Sequence, residues 1–220
     1  MIAHTIAVGT HGRYLVEPPA PANATGPAPI LVGFHGYAEA AEIQMERMTA
    51  IPGSDRWRLV SVQGLHRFYQ RRANEVVASW MTRQDRELAI ADNLAYVAAV
   101  IDDVARAHAV RPGLVFTGFS QGVAMAFRAA VASTHPVAGV IAAGGDVPPE
   151  IEPAALARIG AALVCRGERD QFYAPATHRG DLDRLRAAGV IVQPLAFAGG
   201  HEWSRDVVDA ASGFLRERHP

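Results

Sequence analysis

Short apolar runs alternate along this chain with longer stretches whose apolar positions recur every three or four residues. The runs carry little internal alternation, so they read as strands buried on both faces, and the periodic stretches read as amphipathic helices. Alternation of the two predicts an α/β protein with a mostly parallel sheet. Strands are expected over residues 30–34, 59–62, 114–117, 137–142, 162–166 and 190–196. Two more, over 4–8 and 13–17, are expected as a hairpin turning at Gly9-Thr10-His11-Gly12. Helices are expected over about 38–50, 174–188 and 204–217, with another following Ser120 over 123–131. The clearest begins near Thr82, where Thr82-Arg83-Gln84-Asp85 reads as a capping box. Beyond it Ile90, Leu94, Val97, Ile101 and Val104 form one apolar face. Gly189 is placed to stop the helix before it.

Composition narrows the class. A chain of 220 residues suits a single domain, 1–220, with a sizeable core. Half of the residues are hydrophobic and 20% are charged, as in ordinary soluble enzymes. A net charge of −1 gives no reason to expect nucleic acid or a membrane surface as partner. No stretch has the roughly 18 apolar residues of a membrane span, and the first residues lack a leader pattern. Cys165 is the single cysteine, which rules out an internal disulfide; the cytoplasm is the expected compartment. It lies in an apolar run and reads as a small core residue. Residues 18–29, rich in Pro and Ala, read as a stiff surface loop. No clustered His, Cys and carboxylate spacing suggests a metal site.

Chemistry enters at Gly118-Phe119-Ser120-Gln121-Gly122, between a predicted strand and a predicted helix. A serine at the apex of such a turn is a nucleophile elbow. Glycines on either side leave room for strand and helix to pass closely. A serine hydroxyl needs an imidazole to take its proton and a carboxylate to orient that imidazole. Two loops beyond later strands offer them: Arg166-Gly167-Glu168-Arg169-Asp170 and Gly199-Gly200-His201-Glu202-Trp203. Ser120, Asp170 and His201 follow the order expected of the hydrolase architecture built on such an elbow. Glu168 and Asp146 compete for the acid's role. The Gln121 N–H and the Tyr37 N–H, in the loop after the strand over 30–34, are candidates for an oxyanion hole. His35 is expected to brace that loop through its ring nitrogens and to transfer no proton.

These blocks together resemble a known family. Phe34-His35-Gly36-Tyr37, the elbow, the Asp170 loop and Gly199-Gly200-His201 are similar to the block series of the phospholipase/carboxylesterase family, as are Ser79-Trp80 and Gly144-Gly145-Asp146-Val147-Pro148. The resemblance runs from about Pro29 to Leu215. It implies the α/β-hydrolase fold, with helices on both sheet faces; with 220 residues, little chain is left for a large lid, so none is expected. It also implies ester or thioester hydrolysis through an acyl-enzyme, without a cofactor. It carries over Ser120, Asp170 and His201 as the catalytic triad and Tyr37 and Gln121 as oxyanion donors. A homodimer is compatible with it. The usual Leu-Gly-Asp after His-Gly is Tyr37-Ala38-Glu39 here, and Trp-Phe-Asp is replaced by Trp80-Met81-Thr82. The resemblance therefore speaks for the reaction more than for the acyl group.

A small-molecule ester is the expected substrate. Thioesterase and lysophospholipase activities are the alternatives among enzymes, and a binding protein without chemistry is the alternative outside them. The segment 65–72 is basic and aromatic, and Arg67 or Arg83 facing the cleft would favour esters with an acid group. A solvated loop whose arginines pair with Asp85, Glu87 and Glu75 is the plainer reading. Trp80, Met81, Phe119, Phe172, Tyr173 and Trp203 flank the motifs and are candidates for pocket wall, with core packing the alternative for each.

Overall fold

The continuous apolar runs become the inner strands of one seven-stranded sheet in the computed structural model, which describes residues 1–21, 26–70 and 74–219. The strands are β1 (Tyr14–Glu17), β2 (Ile30–Phe34), β3 (Arg58–Val62), β4 (His66–Gln70), β5 (Glu75–Ser79), β6 (Leu114–Phe119), β7 (Val137–Ala143), β8 (Ala161–Gly167) and β9 (Ile191–Phe197). All but β4 and β5 join the sheet, in the order β1-β3-β2-β6-β7-β8-β9. β1 runs antiparallel to β3, and every other neighbouring pair is parallel. β9 forms an edge and is half-exposed; it accommodates Pro194, because a strand paired on one side only does not need every N–H.

Among the described residues, six α-helices complete the fold: α1 (Ala41–Thr49), α2 (Arg86–Ala107), α3 (Gln121–Ala132), α4 (Pro153–Leu156), α5 (Pro175–Ala187) and α6 (Arg205–Arg218). One sheet face buries Val32, Phe34, Phe116 and Val140 with Val97 and Ile101 of α2, Phe127 of α3 and Leu185 of α5. The other face buries Leu31, Val115, Ile141 and Leu163 with Met48 of α1 and Val207 and Phe214 of α6. Two covered faces explain why the central strands read as unbroken apolar runs. Among the described residues, no helix is long and apolar enough to cross a membrane.

The structure corrects three expectations. Residues 4–8 form no strand, so the hairpin with β1 is absent. β1 pairs with β3 instead, and the Tyr96 hydroxyl donates to the Arg13 carbonyl, which leads the chain over α2. The capping box does not form. Asp85 has a left-handed backbone (φ 48°), so α2 starts at Arg86, and the Thr82 hydroxyl donates to the Gln84 carbonyl within the preceding turn. The basic segment is no loop: β4 and β5 make a separate antiparallel hairpin. Arg71 and Arg72, and residues 22–25 of the expected stiff loop, lie outside the described residues. Of the two readings of Tyr173, pocket wall or core, its burial supports core.

The parallel sheet places the ends of β2, β6, β8 and β9 on one edge, where open α/β sheets collect functional loops. Two elements touch closely where α3 begins. A Cβ on Gly122 would stand 2.1 Å from the Phe34 carbonyl oxygen and 2.6 Å from that of His35. Both are backbone atoms of the β2 end, which cannot move aside alone. Gly122→Ala is therefore expected to lower the unfolding free energy by about 1–3 kcal/mol or more, as read from urea denaturation. A wild-type midpoint in that variant would show the contact to be loose.

Candidate active site

Ser120 follows β6 with φ 53° and ψ −121°, a strained conformation for a residue with a side chain. The strain is held from both sides. The Ser120 N–H donates to the Ala143 carbonyl (3.0 Å), and the Val123 N–H donates to the Ser120 carbonyl (3.0 Å). The turn lifts the Ser120 hydroxyl toward the loops after β8 and β9. Its Oγ lies 2.8 Å from His201 Nε2, and His201 Nδ1 lies 2.9 Å from Asp170 Oδ2. A carboxylate only accepts, so the imidazole proton sits on Nδ1 and Nε2 is free to accept from Ser120.

Asp170 is buried, and its second oxygen is also engaged. Oδ1 accepts from the Phe172 N–H (2.8 Å) and the Tyr173 N–H (3.0 Å). Burial pushes this carboxyl up, but the bond from His201 and those from Tyr173 and Phe172 outweigh it and hold the group below the usual aspartate range. Asp170 is thus an anion that opposes nothing but donors. The rival acids do not reach the imidazole: Glu168 and Asp146 are exposed on neighbouring loops.

The loop after β2 completes the arrangement. His35 Nδ1 faces the Gly36 carbonyl at 2.7 Å, and the Gly64 N–H points at His35 Nε2 at 3.0 Å. One partner only accepts and the other only donates, which fixes a neutral ring protonated on Nδ1. Burial, the largest influence, lowers the His35 pKa in the same sense. His35 therefore braces two loops and is not placed to serve Ser120. The Gly36 N–H is taken by the Glu39 carboxylate (2.7 Å), the Ala38 N–H by the Ala78 carbonyl (3.0 Å) and the Glu39 N–H by the Gly36 carbonyl (3.3 Å). Among the described residues, the Tyr37 N–H is the one in this turn without a hydrogen-bond partner. The Gln121 N–H stands in the first turn of α3, where no helical acceptor exists.

Other expected site residues divide. The Phe119 and Phe172 rings flank the His201 ring, with centroids at 5.0 and 4.8 Å. Phe172 is 82% exposed, so it lines an open mouth. Met81 is half-buried, and its carbonyl accepts from Gln121 Nε2 (3.0 Å). Trp203 is half-buried against the α1/α6 core. Trp80 is wholly buried, with its Nε1–H on the His35 carbonyl (2.8 Å), so it supports the loop from below. Arg67 donates to the His11 carbonyl (3.1 Å), on the opposite strand face from Phe68, which packs on Tyr37. Arg83 is exposed and has no ion pair among the described residues. The expected partners of these arginines, Asp85, Glu87 and Glu75, form no ion pair there either; Arg86 pairs with Glu150.

Sequence reasoning missed two contributors. The Gln121 side chain clips the elbow to the β5 end, accepting from the Trp80 N–H (2.9 Å). Glu39 and Arg47 form a bidentate pair (2.6 and 2.7 Å) beside the Tyr37 turn. Their spacing of eight residues spans a loop and a helix start, so no periodic pattern announces it. Among the described residues, no cluster of His, Cys, Asp or Glu is arranged to hold a metal ion.

Comparison with known proteins agrees with this fold. The sequence profile described as phospholipase/carboxylesterase matches residues 22–217. The chain is similar in structure to the esterase PE8, at TM-score 0.73 and 21% identity over 94% of this chain and 99% of that one. It is also similar to Zea mays acyl-protein thioesterase 2, at TM-score 0.73 and 18% identity over 94% and 99% of the two chains. A carboxylesterase from Mesorhizobium loti matches at TM-score 0.74 and 18% identity over 95% of each. At these identities the structural likeness speaks for the fold. No curated protein matches the sequence of this chain.

The neutral His35 makes stability depend on pH. Its folded pKa lies below the unfolded value of about 6.5, so on acidification the unfolded chain takes the proton first. His178 and His219 are lowered by burial and act in the same direction. The urea-unfolding free energy is therefore expected to fall as pH drops below about 6.5, with a shallower slope in His35→Asn. An unchanged slope in that variant would assign the effect to the other two histidines.

Proposed function

The chain belongs to the phospholipase/carboxylesterase family, a group of esterase- and thioesterase-type hydrolases, and on that premise we propose that it cleaves carboxylic esters through a covalent acyl-serine. The single observation that carries this reading is the continuous chain from Ser120 Oγ through His201 to a buried, ionised Asp170. Ser120 attacks the ester carbonyl while His201 Nε2 takes its proton. The Asp170 carboxylate holds the ring and stabilises the imidazolium that forms. The Tyr37 and Gln121 N–H groups receive the oxyanion, where fixed donors stabilise developing charge at no cost of reorganisation. The alcohol leaves with the proton from Nε2. A water then attacks the acyl-serine, with His201 again as base, and the acid is released.

The substrate in this reading is a small ester. The mouth is open and aromatic, formed in part by Phe172 and Tyr37, and neither Arg67 nor Arg83 is aimed at Ser120 by any contact. Neutral esters suit it better than acidic ones. The lone, buried Cys165 fits a cytoplasmic setting.

Incubation with a fluorophosphonate is expected to add one adduct to the wild type and none to Ser120→Ala, read by intact mass. Ester turnover should fall roughly 10³-fold or more in Ser120→Ala, without loss of fold. Substantial residual turnover would sink the mechanism.

Asp170→Asn gives a second check. Its carbonyl can still accept from Phe172 and Tyr173, but its NH₂ then faces His201 Nδ1 and drives the ring proton to Nε2. Turnover should fall on the order of 10⁴-fold, with little change in melting temperature. Near-normal turnover would remove Asp170 from the mechanism.

A further inference from the structure

We propose that Glu39 and Arg47 are positioning residues that aim the Tyr37 N–H at the reacting carbonyl and brace His201 from behind, an inference resting on the serine-hydrolase reading above. The turn from Gly36 to Glu39 has to present one N–H and withhold the rest. Ala38 adopts φ 56° there, a conformation disfavoured for a residue with a Cβ. Such a turn persists only where its surroundings impose it. Two clips do so. The first is main-chain: the Ala38 N–H meets the Ala78 carbonyl, and the Ala78 N–H meets the Glu39 carbonyl (2.8 Å). The second is the Glu39 carboxylate, which reaches back to take the Gly36 N–H at 2.7 Å.

That carboxylate needs its own anchor, and Arg47 is the anchor. The guanidinium donates to both Glu39 oxygens, a geometry that fixes orientation as well as distance. Both side chains are largely buried, with 19% and 15% exposure, so water competes weakly. Burial would raise the Glu39 carboxyl, yet Arg47 and the Gly36 N–H hold it below its ordinary range, so it stays ionised wherever an imidazole can act as base. The same guanidinium lies over the Phe119 ring, 4.2 Å from its centroid, and Phe119 packs against His201. One ion pair thus touches the oxyanion side of the site directly and the base side through one ring. Neither residue reaches the reacting atoms, so both act through others.

The test compares Glu39→Ala, Glu39→Gln and Arg47→Lys with wild type, with active sites counted by fluorophosphonate adduct. Glu39→Ala is expected to lower kcat per labelled site roughly 10²-fold while KM changes little, as for loss of an aimed oxyanion donor. Its affinity for a trifluoromethyl ketone, whose adduct carries an oxyanion, should fall in step with kcat. Glu39→Gln keeps an acceptor for the Gly36 N–H and should recover part of the loss. A purely structural role would lower the melting temperature and the labelled fraction but leave kcat per labelled site unchanged, and that result overturns the proposal. Should Glu39→Ala not fold, wild-type kcat and ketone affinity in both Glu39→Gln and Arg47→Lys overturn it equally. Wild type that takes no adduct would overturn the serine-hydrolase reading, and this inference with it; a labelled wild type with unaffected variants overturns this inference alone.

Discussion

The site depends on one close approach between two backbones. α3 begins against the end of β2, and only glycine at position 122 lets the Phe34 and His35 carbonyls come that near. Gly118 plays the matching part, since a Cβ there would stand 2.4 Å from the Gly122 carbonyl oxygen. With strand and helix so tight, Ser120 has nowhere to go but outward, and its positive φ is imposed by the packing around it. The same approach puts the first N–H groups of α3 beside the loop that carries Tyr37. In the proposed mechanism, nucleophile placement and oxyanion placement are therefore one constraint, not two.

Around that contact the loops are held by polar groups whose partners are already assigned. Asp170 faces three donors, His35 faces one donor and one acceptor, and the Gln121 amide bonds on both its oxygen and its nitrogen. Buried polar groups satisfied in this way are stiff, because any rotation leaves a donor or acceptor unmatched in a poorly hydrated place. Stiffness is what fixed dipoles need if they are to stabilise charge without rearranging. By contrast, the rim is open: Phe172 and Tyr37 are largely exposed. The interior of the site is thus rigidly organised, while its mouth is open to solvent.

Much of this was legible in the chain. Runs without alternation pointed to a sheet covered on both sides, and β2, β3, β6, β7 and β8 lie where they were expected because both faces are in fact covered. Gly189, at φ 82° after α5, ends its helix as its position suggested. The failures share a cause. The hairpin over 4–17, the capping box at Thr82 and the loop over 65–72 were each judged from a few neighbouring residues. What lay outside those windows decided the first and the last, since β3 took β1, the Tyr96 hydroxyl took the Arg13 carbonyl and β5 took β4, while at the capping box the backbone of Asp85 turned left-handed.

The sequence by itself determined the family, the fold class and the order in which Ser120, Asp170 and His201 occur. Periodicity, glycine spacing and loop order are local properties, and they survive being read one residue at a time. Only the tertiary structure decided which carboxylate reaches His201, that Trp80 lies below the site rather than in it, that Arg67 turns away, and that Glu39 finds Arg47. Hydrogen bonds and ion pairs act over about 3 Å. Whether two side chains come within that range depends on every element between them, and no short window of sequence contains that information.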